Sequence, residues 1–228
     1  MNEINTVAAI DCGTNSIRLL ISRGGTEIIR EMEIVKLGEG VDRTKNFSEA
    51  AVARTLKALE KYKKLIDQHQ VSKVRFCATS ATRDAQNREI FTEPAAKILG
   101  VVPEVIVGTE EAALSFLGAT AELSRDLAPF LVVDIGGGST EFVFGADAVE
   151  AAISVDIGCV RMTERHFAQD PPSETEIENA RIDINRAIDR ASEKVPITAA
   201  GTLIAVAGTA IRVPAAVIGT FPLARSIA

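Results

Sequence analysis

The sequence predicts an α/β protein made of two consecutive layered units. Short apolar, β-prone runs alternate with longer amphipathic segments, a pattern typical of α/β layering. The loop pattern D-x-G-x-x-S occurs twice, about half the chain apart, each time between two apolar runs. Such an internal repeat predicts a duplicated β-turn-β unit. With 228 residues and 46% apolar side chains, the chain can build one large or two small cores.

The first half contains predicted strands and helices in alternation. Residues 7–10 and 17–21 predict two strands around a polar loop, followed by a glycine turn at Gly24 and Gly25. A helix is predicted to begin after Ser48, because apolar residues then recur at helical spacing. The later predicted elements are a strand at 73–78, a strand at 101–107 broken by Pro103, and a helix capped by Thr109 that ends near Leu123.

The predicted boundary between the two halves lies within residues 124–129, which gives domains of 1–124 and 125–228. The run LVVDIGGGSTEFVFG opens the second domain, and residues 151–155 predict another strand. Ser173 and Glu176 have the spacing of a capping box and predict the start of a helix. The final predicted strand is 202–207, and the apolar side of the helix before it carries Ile177, Ile184, Ile188 and Ala191.

Composition and charge exclude several classes of protein. The net charge of −6 gives no general footprint for nucleic acid. Three separated cysteines without a CxxC pattern and two isolated histidines predict neither a disulfide framework nor a zinc site, so a cytoplasmic location is expected. Neither a signal peptide nor a membrane span is predicted, because the uncharged stretch 195–211 is short and broken. One helical stripe is basic and is either a local polyanion site or a solvated face: Arg54, Lys57, Lys61 and Lys64.

The two D-x-G-x-x-S loops have the chemistry of a phosphate site. Glycine-rich turns leave backbone N–H groups free to converge on an oxyanion, and hydroxyls add donors. The same loops carry Asp11, Asp134 and Glu141, which would repel phosphate unless a hard cation such as Mg²⁺ lies between them. The structural alternative is a tight turn with solvated acids. Neither loop has the Walker A spacing or a G-x-G-x-x-G that opens a helix.

Two further segments carry candidate functional residues. Arg83 follows a predicted strand end, where it could fork onto a terminal phosphate or form a surface salt bridge with Asp84. Glu110 and Glu111 lie in the first turn of a predicted helix. Acids at that position complement the helix dipole, and a catalytic base is the competing interpretation.

Taken together, these segments resemble the exopolyphosphatase/guanosine pentaphosphatase (Ppx/GppA) family, within the actin–sugar kinase–Hsp70 superfamily. The resemblance runs through most of the chain and is specific as a set. Its motifs are AAIDCGTNSIRLLI, KLGEGVD, TSATRDAQN, VGTEEAALSFLGA, VVDIGGGSTEFVFG, DIGCVRMTERHF and VAGTA.

The resemblance implies two ribonuclease-H-like (actin-like ATPase) domains flanking a cleft, with Mg²⁺ and a phosphoanhydride substrate. Glu111 would deprotonate the attacking water, Asp134 and Glu141 would hold the metal with Asp11 as an additional ligand, and Arg83 would grip the terminal phosphate. The residues implied in cradling the phosphates are Gly13, Thr14, Asn15 and Ser16 in one loop, and Gly136, Gly137, Gly138, Ser139 and Thr140 in the other.

The chain departs from the family pattern in two places. Thr14 stands where the family usually has serine, which keeps the hydroxyl. Family members continue well past VAGT, whereas the remaining residues here, 210–228, match poorly. The expectation is therefore a second domain that is incomplete at its C-terminal end, which puts the activity of this chain in question.

The expected function is Mg²⁺-dependent hydrolysis that releases terminal orthophosphate from inorganic polyphosphate. Three alternatives stay open at this point: hydrolysis of guanosine pentaphosphate in the same site, an ATP-dependent kinase of the superfamily, and a non-catalytic protein that binds polyphosphate or an alarmone. A homodimer would agree with the resemblance, and neither nucleic acid nor membrane is expected as a partner.

Overall fold

The computed structural model describes residues 5–211. The chain divides between Ile106 and Val107 into two compact units, here called unit 1 and unit 2. The sequence placed the boundary at 124/125 instead. The difference is the helix Gly108–Thr120, which packs against strands of unit 2 and therefore belongs with it. The domain limits 1–124 and 125–228 stay a prediction.

Unit 1 contains one five-stranded sheet with helices packed against it. The strand order is β3-β2-β1-β4-β5, in which β1 is antiparallel to β2 and parallel to β4. The strands are β1 (Thr6–Cys12), β2 (Ser16–Arg23), β3 (Thr26–Ile34), β4 (Lys73–Ala78) and β5 (Glu104–Val105). The helices are α1 (Val41–Thr44), α2 (Glu49–Gln68), α3 (Ser80–Asp84) and α4 (Glu89–Leu99).

Alternation along β1 and β2 decides where the core of unit 1 lies. Side chains such as Ile10, Ile17 and Leu19 are buried, whereas their neighbours along each strand are more exposed. Helix α2 begins as predicted, because the Ser48 side chain accepts a hydrogen bond from the Ala51 amide. Its apolar stripe packs into the same core.

Unit 2 contains a four-stranded sheet with helices contacting both faces. The order is β8-β7-β6-β9, with β6 antiparallel to β7 and parallel to β9. The strands are β6 (Phe130–Ile135), β7 (Thr140–Gly145), β8 (Val149–Val155) and β9 (Thr202–Val206). The helices are α5 (Gly108–Thr120), α6 (Cys159–His166), α7 (Glu174–Ser192) and α8 (Ala207–Ile211).

The two sides of the unit 2 sheet form separate cores. Val132 and Val143 share one core with Ala112 and Phe116 of α5. Residues of the opposite parity along the same strands form the other core with α6 and α7. The sheet is therefore buried on both sides, and α5 lies over the face that carries Asp134, two residues beyond Val132.

The strand order of unit 2 repeats the first four strands of unit 1. In each unit, an antiparallel meander of three strands continues into a parallel strand beside its first member. Both D-x-G-x-x-S loops connect the first strand to the second. The predicted duplication of a β-turn-β unit is therefore confirmed at the level of topology.

Several local predictions were wrong, each for a physical reason. The predicted strand at 101–107 is reduced to Glu104–Val105 after Pro103, which cannot donate to a ladder. Helix α5 is preceded by Val107, and Thr109 lies inside the helix rather than capping it. On α7, Ile177 and Ile188 are exposed, while the buried positions are Ala180, Ala187 and Ala191.

The C-terminal stretch that matches the family poorly lies outside the described residues from residue 212 onward. Within the described part of the chain, none of the helices has both the length and the apolar character that a bilayer crossing requires.

Candidate functional site

The glycine loop of unit 2 is a tight turn between β6 and β7. The Gly136 amide donates to the Ser139 carbonyl at 3.0 Å, which closes the turn. Ser139 is buried, and Gly138 is buried beside it. The loop is thus a fixed part of the fold.

The first turn of α6 holds the carbonyl groups of this loop. The amide of Cys159 donates to the Gly136 carbonyl at 3.1 Å, and the amides of Val160 and Arg161 donate to the Gly137 carbonyl at 2.9 and 3.0 Å. The Arg161 side chain, itself buried, donates through Nε to the next carbonyl, that of Gly138.

Because a trans peptide places its N–H opposite its C=O, anchoring the three carbonyls also orients three amides. The N–H groups of Gly137, Gly138 and Ser139 therefore point away from α6. Successive amides on one side of a loop form a concave donor surface that suits an oxyanion. We call these three amides the unit 2 nest.

Gly158 makes this arrangement possible because it lies against the loop without a side chain. A Cβ at Gly158 would stand 2.5 Å from both the carbonyl carbon and oxygen of Gly137, and 2.6 Å from the Gly138 nitrogen. These contacts are with backbone atoms, which cannot swing aside as a flexible side chain would. The close approach of α6 to the loop therefore requires glycine at this position.

An acidic row lies beside the nest, on the sheet face covered by α5. Asp134 pairs with Glu141 across β6 and β7, and Glu141 pairs with Ser154 across β7 and β8. Directly paired residues point to the same side, with Cβ atoms about 4.5–5.5 Å apart. Two carboxylates therefore lie side by side, an unfavourable arrangement for structure alone.

The pKa of Glu141 is raised by its burial and by its acidic neighbours. Its side chain is almost fully buried. Burial, the charge of Glu111 and the charge of Asp134 raise the pKa of Glu141 to about 8, although hydrogen bonds from Ser154 and Ser139 act in the opposite direction. The α5 residue Glu111 is thus electrostatically coupled to the acidic row. A raised carboxyl pKa with specific charged neighbours is a recognised mark of functional sites.

Hydroxyl groups orient both acids of the row. Ser154 donates from Oγ to Oε1 of Glu141 at 2.7 Å, and Ser115 of α5 donates from Oγ to Oδ2 of Asp134 at 2.6 Å. Thr140 differs from the prediction, because its side chain lies on the opposite face and donates to the Ile157 carbonyl at 2.6 Å. Its hydroxyl proton is used in holding the loop, so this side chain is not part of the proposed phosphate site.

The corresponding loop of unit 1 is built in the same way. The Gly13 amide donates to the Ser16 carbonyl at 3.0 Å. The Thr14 carbonyl accepts from the Gly38 amide at 2.9 Å, and the Asn15 carbonyl accepts from the amides of residues 35 and 36 at 3.0 and 2.9 Å. These bonds turn the following amides away from the 35–38 segment, by the same planar-peptide argument.

Thr14 has a buried hydroxyl without a partner. The residue is 7% exposed, and its Oγ1 atom has no hydrogen-bond partner among residues 5–211. Buried hydroxyl groups in proteins are normally paired. An unpaired donor in this loop is therefore consistent with a ligand that completes it.

Two other predicted residues of unit 1 already have partners. Asp11 forms an ion pair with Arg18 at 2.9 Å, directly across β1 and β2, so a cation there would have to compete with the guanidinium. Arg83 lies in α3, after β4, and donates to the Ile106 carbonyl at 2.9 Å. Strands β1 and β4 are parallel, so Arg83 and the Gly13–Ser16 loop lie at the same edge of the sheet.

The basic stripe of α2 favours the structural interpretation. Arg54 pairs with Glu39 at 2.7 Å, and Lys61 pairs with Glu33 at 2.9 Å. These acids reduce the net positive potential of the stripe, so we do not include it in the candidate site.

The acidic row meets the requirements of a hard cation only in part. Within residues 5–211, no three His, Cys, Asp or Glu side chains are grouped so that they could hold a metal ion on their own. Mg²⁺ commonly takes only one or two carboxylates and fills its shell with water and phosphate oxygens. Asp134 and Glu141, paired and mutually repelling, provide a donor set of that kind.

Sequence reasoning missed four residues that shape this site. Ser115 could have been found from its spacing, one helical turn after Glu111. Ser154 becomes visible only through the strand register. Gly158 and Arg161 belong to the DIGCVRMTERHF motif, but their roles depend on how α6 meets the loop, which the sequence pattern does not reveal.

Comparison with known proteins gives a consistent picture. The model of the "Ppx/GppA phosphatase family" matches residues 21–220. Exopolyphosphatase 2 of Mycobacterium tuberculosis is 48% identical over 219 residues, which cover 90% of this chain and 69% of that protein. The guanosine-5'-triphosphate,3'-diphosphate pyrophosphatase of Pseudoalteromonas atlantica is 36% identical over 193 residues, covering 82% of this chain and 38% of that protein.

A solved structure, described as an exopolyphosphatase-like protein, has 50% sequence identity and a TM-score of 0.88. The similarity covers 91% of this chain and 67% of that one. The predicted fold class, α/β with two actin-like ATPase domains, is thereby confirmed.

Proposed function

The chain belongs to the Ppx/GppA phosphatase family, and from that premise we propose that it is a Mg²⁺-dependent exopolyphosphatase. Family membership makes it a phosphoanhydride hydrolase. The substrate that we propose is inorganic polyphosphate, from which the enzyme releases terminal orthophosphate. The relative with 48% identity carries the name exopolyphosphatase, which supports this choice.

One observation carries the proposal. In unit 2, the charge of Glu111 acts on Glu141, Glu141 pairs with Asp134 across β6 and β7, and the loop between these strands presents the nest. A base, a cation-binding pair and a phosphate-binding surface are the components that hydrolysis of a phosphoanhydride needs. All three belong to the same unit of the fold.

The proposed reaction is a direct displacement by water. Glu111 accepts a proton from the water while the water oxygen forms a bond to the terminal phosphorus. The bond from that phosphorus to the bridging oxygen breaks, and its electron pair stays on the bridging oxygen. The products are orthophosphate and a polyphosphate shortened by one phosphate. General base catalysis of this kind typically contributes about 10²–10⁴-fold.

Asp134 and Glu141 are the proposed cation ligands, with Ser115 and Ser154 fixing their orientation. A bound Mg²⁺ would neutralise charge that develops on the phosphate oxygens. Asp11 remains a weaker candidate, because its ion pair with Arg18 competes for the same carboxylate.

Substrate contacts are proposed for both loops. The nest amides of Gly137, Gly138 and Ser139 would receive one phosphate, and their direction is set by α6. Taken by itself, the Gly13–Ser16 loop of unit 1 offers the unpaired hydroxyl of Thr14 as a donor for a phosphate oxygen. Arg83 would add a guanidinium donor at the same edge of the unit 1 sheet.

The test is to measure orthophosphate release from long-chain polyphosphate, guanosine pentaphosphate and ATP in parallel, with Mg²⁺ and with excess EDTA. We expect release from polyphosphate that EDTA abolishes. Release from ATP alone would point to a kinase-like activity. Saturable polyphosphate binding with no release from any substrate would point to a non-catalytic sensor, and either result would refute the proposal.

A second candidate is hydrolysis of guanosine pentaphosphate in the same site. It is favoured by the relative from Pseudoalteromonas atlantica, which bears that type of name at 36% identity. Release from guanosine pentaphosphate that exceeds release from polyphosphate would establish this alternative.

A further inference from the structure

Ser115 lies on the helix that carries the proposed base, yet it contacts the acid of a strand. Its Oγ donates to Oδ2 of Asp134 at 2.6 Å, a contact between residues 19 positions apart in sequence. An ionised carboxylate can only accept, so the hydroxyl must be the donor. The distance is in the range of about 2.5–2.7 Å that is typical of a hydroxyl donating to a charged oxygen.

The helix that presents Ser115 is firmly held against the sheet. Ala112 and Phe116 are fully buried in the core shared with Val132 and Val143. Phe116 follows Ser115 directly, so the rotation of α5 about its axis is fixed at this turn. The position of the Ser115 hydroxyl relative to Asp134 is therefore fixed by the packing of α5.

The same helix links this contact to Glu111. Residues four apart lie on one face of a helix, so Glu111 and Ser115 are neighbours along α5. Asp134, which accepts from Ser115, faces Glu141 across the strands. One rigid element thus presents the proposed base and also restrains one of the two proposed cation ligands.

We propose that Ser115 is a positioning residue that orients the Asp134 carboxylate for a divalent cation and keeps it in register with Glu111. This inference rests on the proposed function, because it takes Asp134 as a cation ligand. Outer hydrogen-bond partners of metal ligands typically contribute about 10- to 100-fold to metal affinity. Removal of the hydroxyl should thus weaken cation binding while the helix stays folded.

The experiment compares Ser115→Ala with a matched control on the same helix, Thr120→Ala. The Thr120 hydroxyl donates to the Phe116 carbonyl at 2.8 Å, a bond that lies within the helix. Mg²⁺ affinity is measured by calorimetric titration of the full chain without substrate. Orthophosphate release from polyphosphate is then measured against Mg²⁺ concentration.

We expect Ser115→Ala to bind Mg²⁺ about 10-fold more weakly or worse, and to need correspondingly more Mg²⁺ for half-maximal activity. Its kcat at saturating Mg²⁺ should fall much less. Ser115→Thr, which keeps the hydroxyl, should restore the affinity, and Thr120→Ala should leave it unchanged. Unaltered Mg²⁺ affinity in a folded Ser115→Ala protein would overturn the inference.

Three further outcomes are informative. If Ser115→Ala does not fold, Ser115→Val and Ser115→Thr provide a pair of equal shape, and only the valine variant should lose affinity. A wild-type protein that releases phosphate without binding Mg²⁺ would overturn both this inference and the proposed cation site. A wild type that binds Mg²⁺ normally, with Ser115→Ala unaffected, would overturn the role of Ser115 alone.

Discussion

Asp134 and Glu141 face each other directly across strands β6 and β7, and both carry carboxylates on the side covered by α5. Like charges in such a pair destabilise a sheet. The pair is tolerable only if a proton or a cation offsets the repulsion. The pKa of Glu141 is raised to about 8, first by burial, then by the charge of Glu111 and to a smaller extent by that of Asp134.

Glu141→Gln should therefore stabilise the protein while abolishing its activity. The amide oxygen can still accept from Ser154, and the repulsion with Asp134 disappears. In metal-free buffer at neutral pH we expect the free energy of unfolding to rise by about 1 kcal/mol. This gain is somewhat smaller than the free energy that corresponds to a pKa shift of one unit. Chemical denaturation with EDTA measures the gain. A destabilised variant would show that the buried carboxylate has a structural role.

Glu111→Gln should lower kcat by about 10²–10⁴-fold without loss of stability. The matched control is Glu110→Gln, which makes the same change at the preceding, exposed position of the first helical turn. Phosphate release and thermal melting are measured for both variants. If both lose activity equally, acids in this turn act through the helix dipole and not as a base.

Gly158→Ala should disrupt the nest. The added Cβ would overlap backbone atoms of Gly137 and Gly138, and such overpacking usually costs about 1–3 kcal/mol. We expect phosphate release to fall by more than this loss of stability explains. The control is Gly118→Ala in α5, where a Cβ meets nothing within 4 Å and should be neutral or stabilising by up to about 1 kcal/mol. An active Gly158→Ala protein would contradict the proposed role of the loop.

Thr14→Val and Thr82→Val form a matched pair. Both residues are buried in unit 1, and the hydroxyl of each has no hydrogen-bond partner within residues 5–211. Each substitution should raise the free energy of unfolding by about 1 kcal/mol, because valine removes an unpaired donor. Only Thr14→Val should raise KM for polyphosphate, by about 10-fold. An equal rise in KM for Thr82→Val would show that the effect is not specific to the loop.

Asp183→Asn should reveal a pH-dependent link between α6 and α7. Arg165 and His166 of α6 donate to Asp183 of α7 and hold the pKa of this carboxyl below its ordinary value of 3.8. The stabilisation is therefore present above the unfolded pKa and is lost as the pH falls through the lower folded value. We expect the variant to be about 0.5–1 kcal/mol less stable at pH 7 and equal to wild type in strong acid.

The check for this link is urea denaturation from pH 7 to pH 2. Asp189→Asn on the same helix, at an exposed position, controls for the change in net charge. A stability difference that stays constant down to pH 2 would rule out an ionised Asp183 as its source.

The pattern of apolar residues predicted most strands and both long helices, because their burial follows period 2 or period 3.6. It missed β3, an edge strand whose residues are largely exposed, so that hydrogen bonds to β2 rather than alternation define it. It also missed α4, which contains Pro94, and α6, of whose residues only Arg161 and Met162 are buried. In such elements, the sequence shows no clear periodic pattern of apolar residues that would reveal a buried face.

The site was predictable where the chemistry is concentrated in one short stretch. The loop glycines and the adjacent acids stood out from the sequence alone. The family resemblance, drawn from seven motifs along most of the chain, is confirmed, while the individual roles stay predictions. Ser154 and Gly158 could not be found in this way, because each acts on a residue that only strand pairing or helix docking brings near.

The anchoring of the loop carbonyls by α6 has a consequence for substrate choice. Three peptide amides identify a phosphoryl group by its shape and charge, and they cannot distinguish the end of a long polymer from that of a short one. A loop of this kind carries no information about what lies beyond the group it holds. Under the proposed function, a preference for chain length, or for a nucleotide over a plain polymer, would have to come from residues outside the three nest amides.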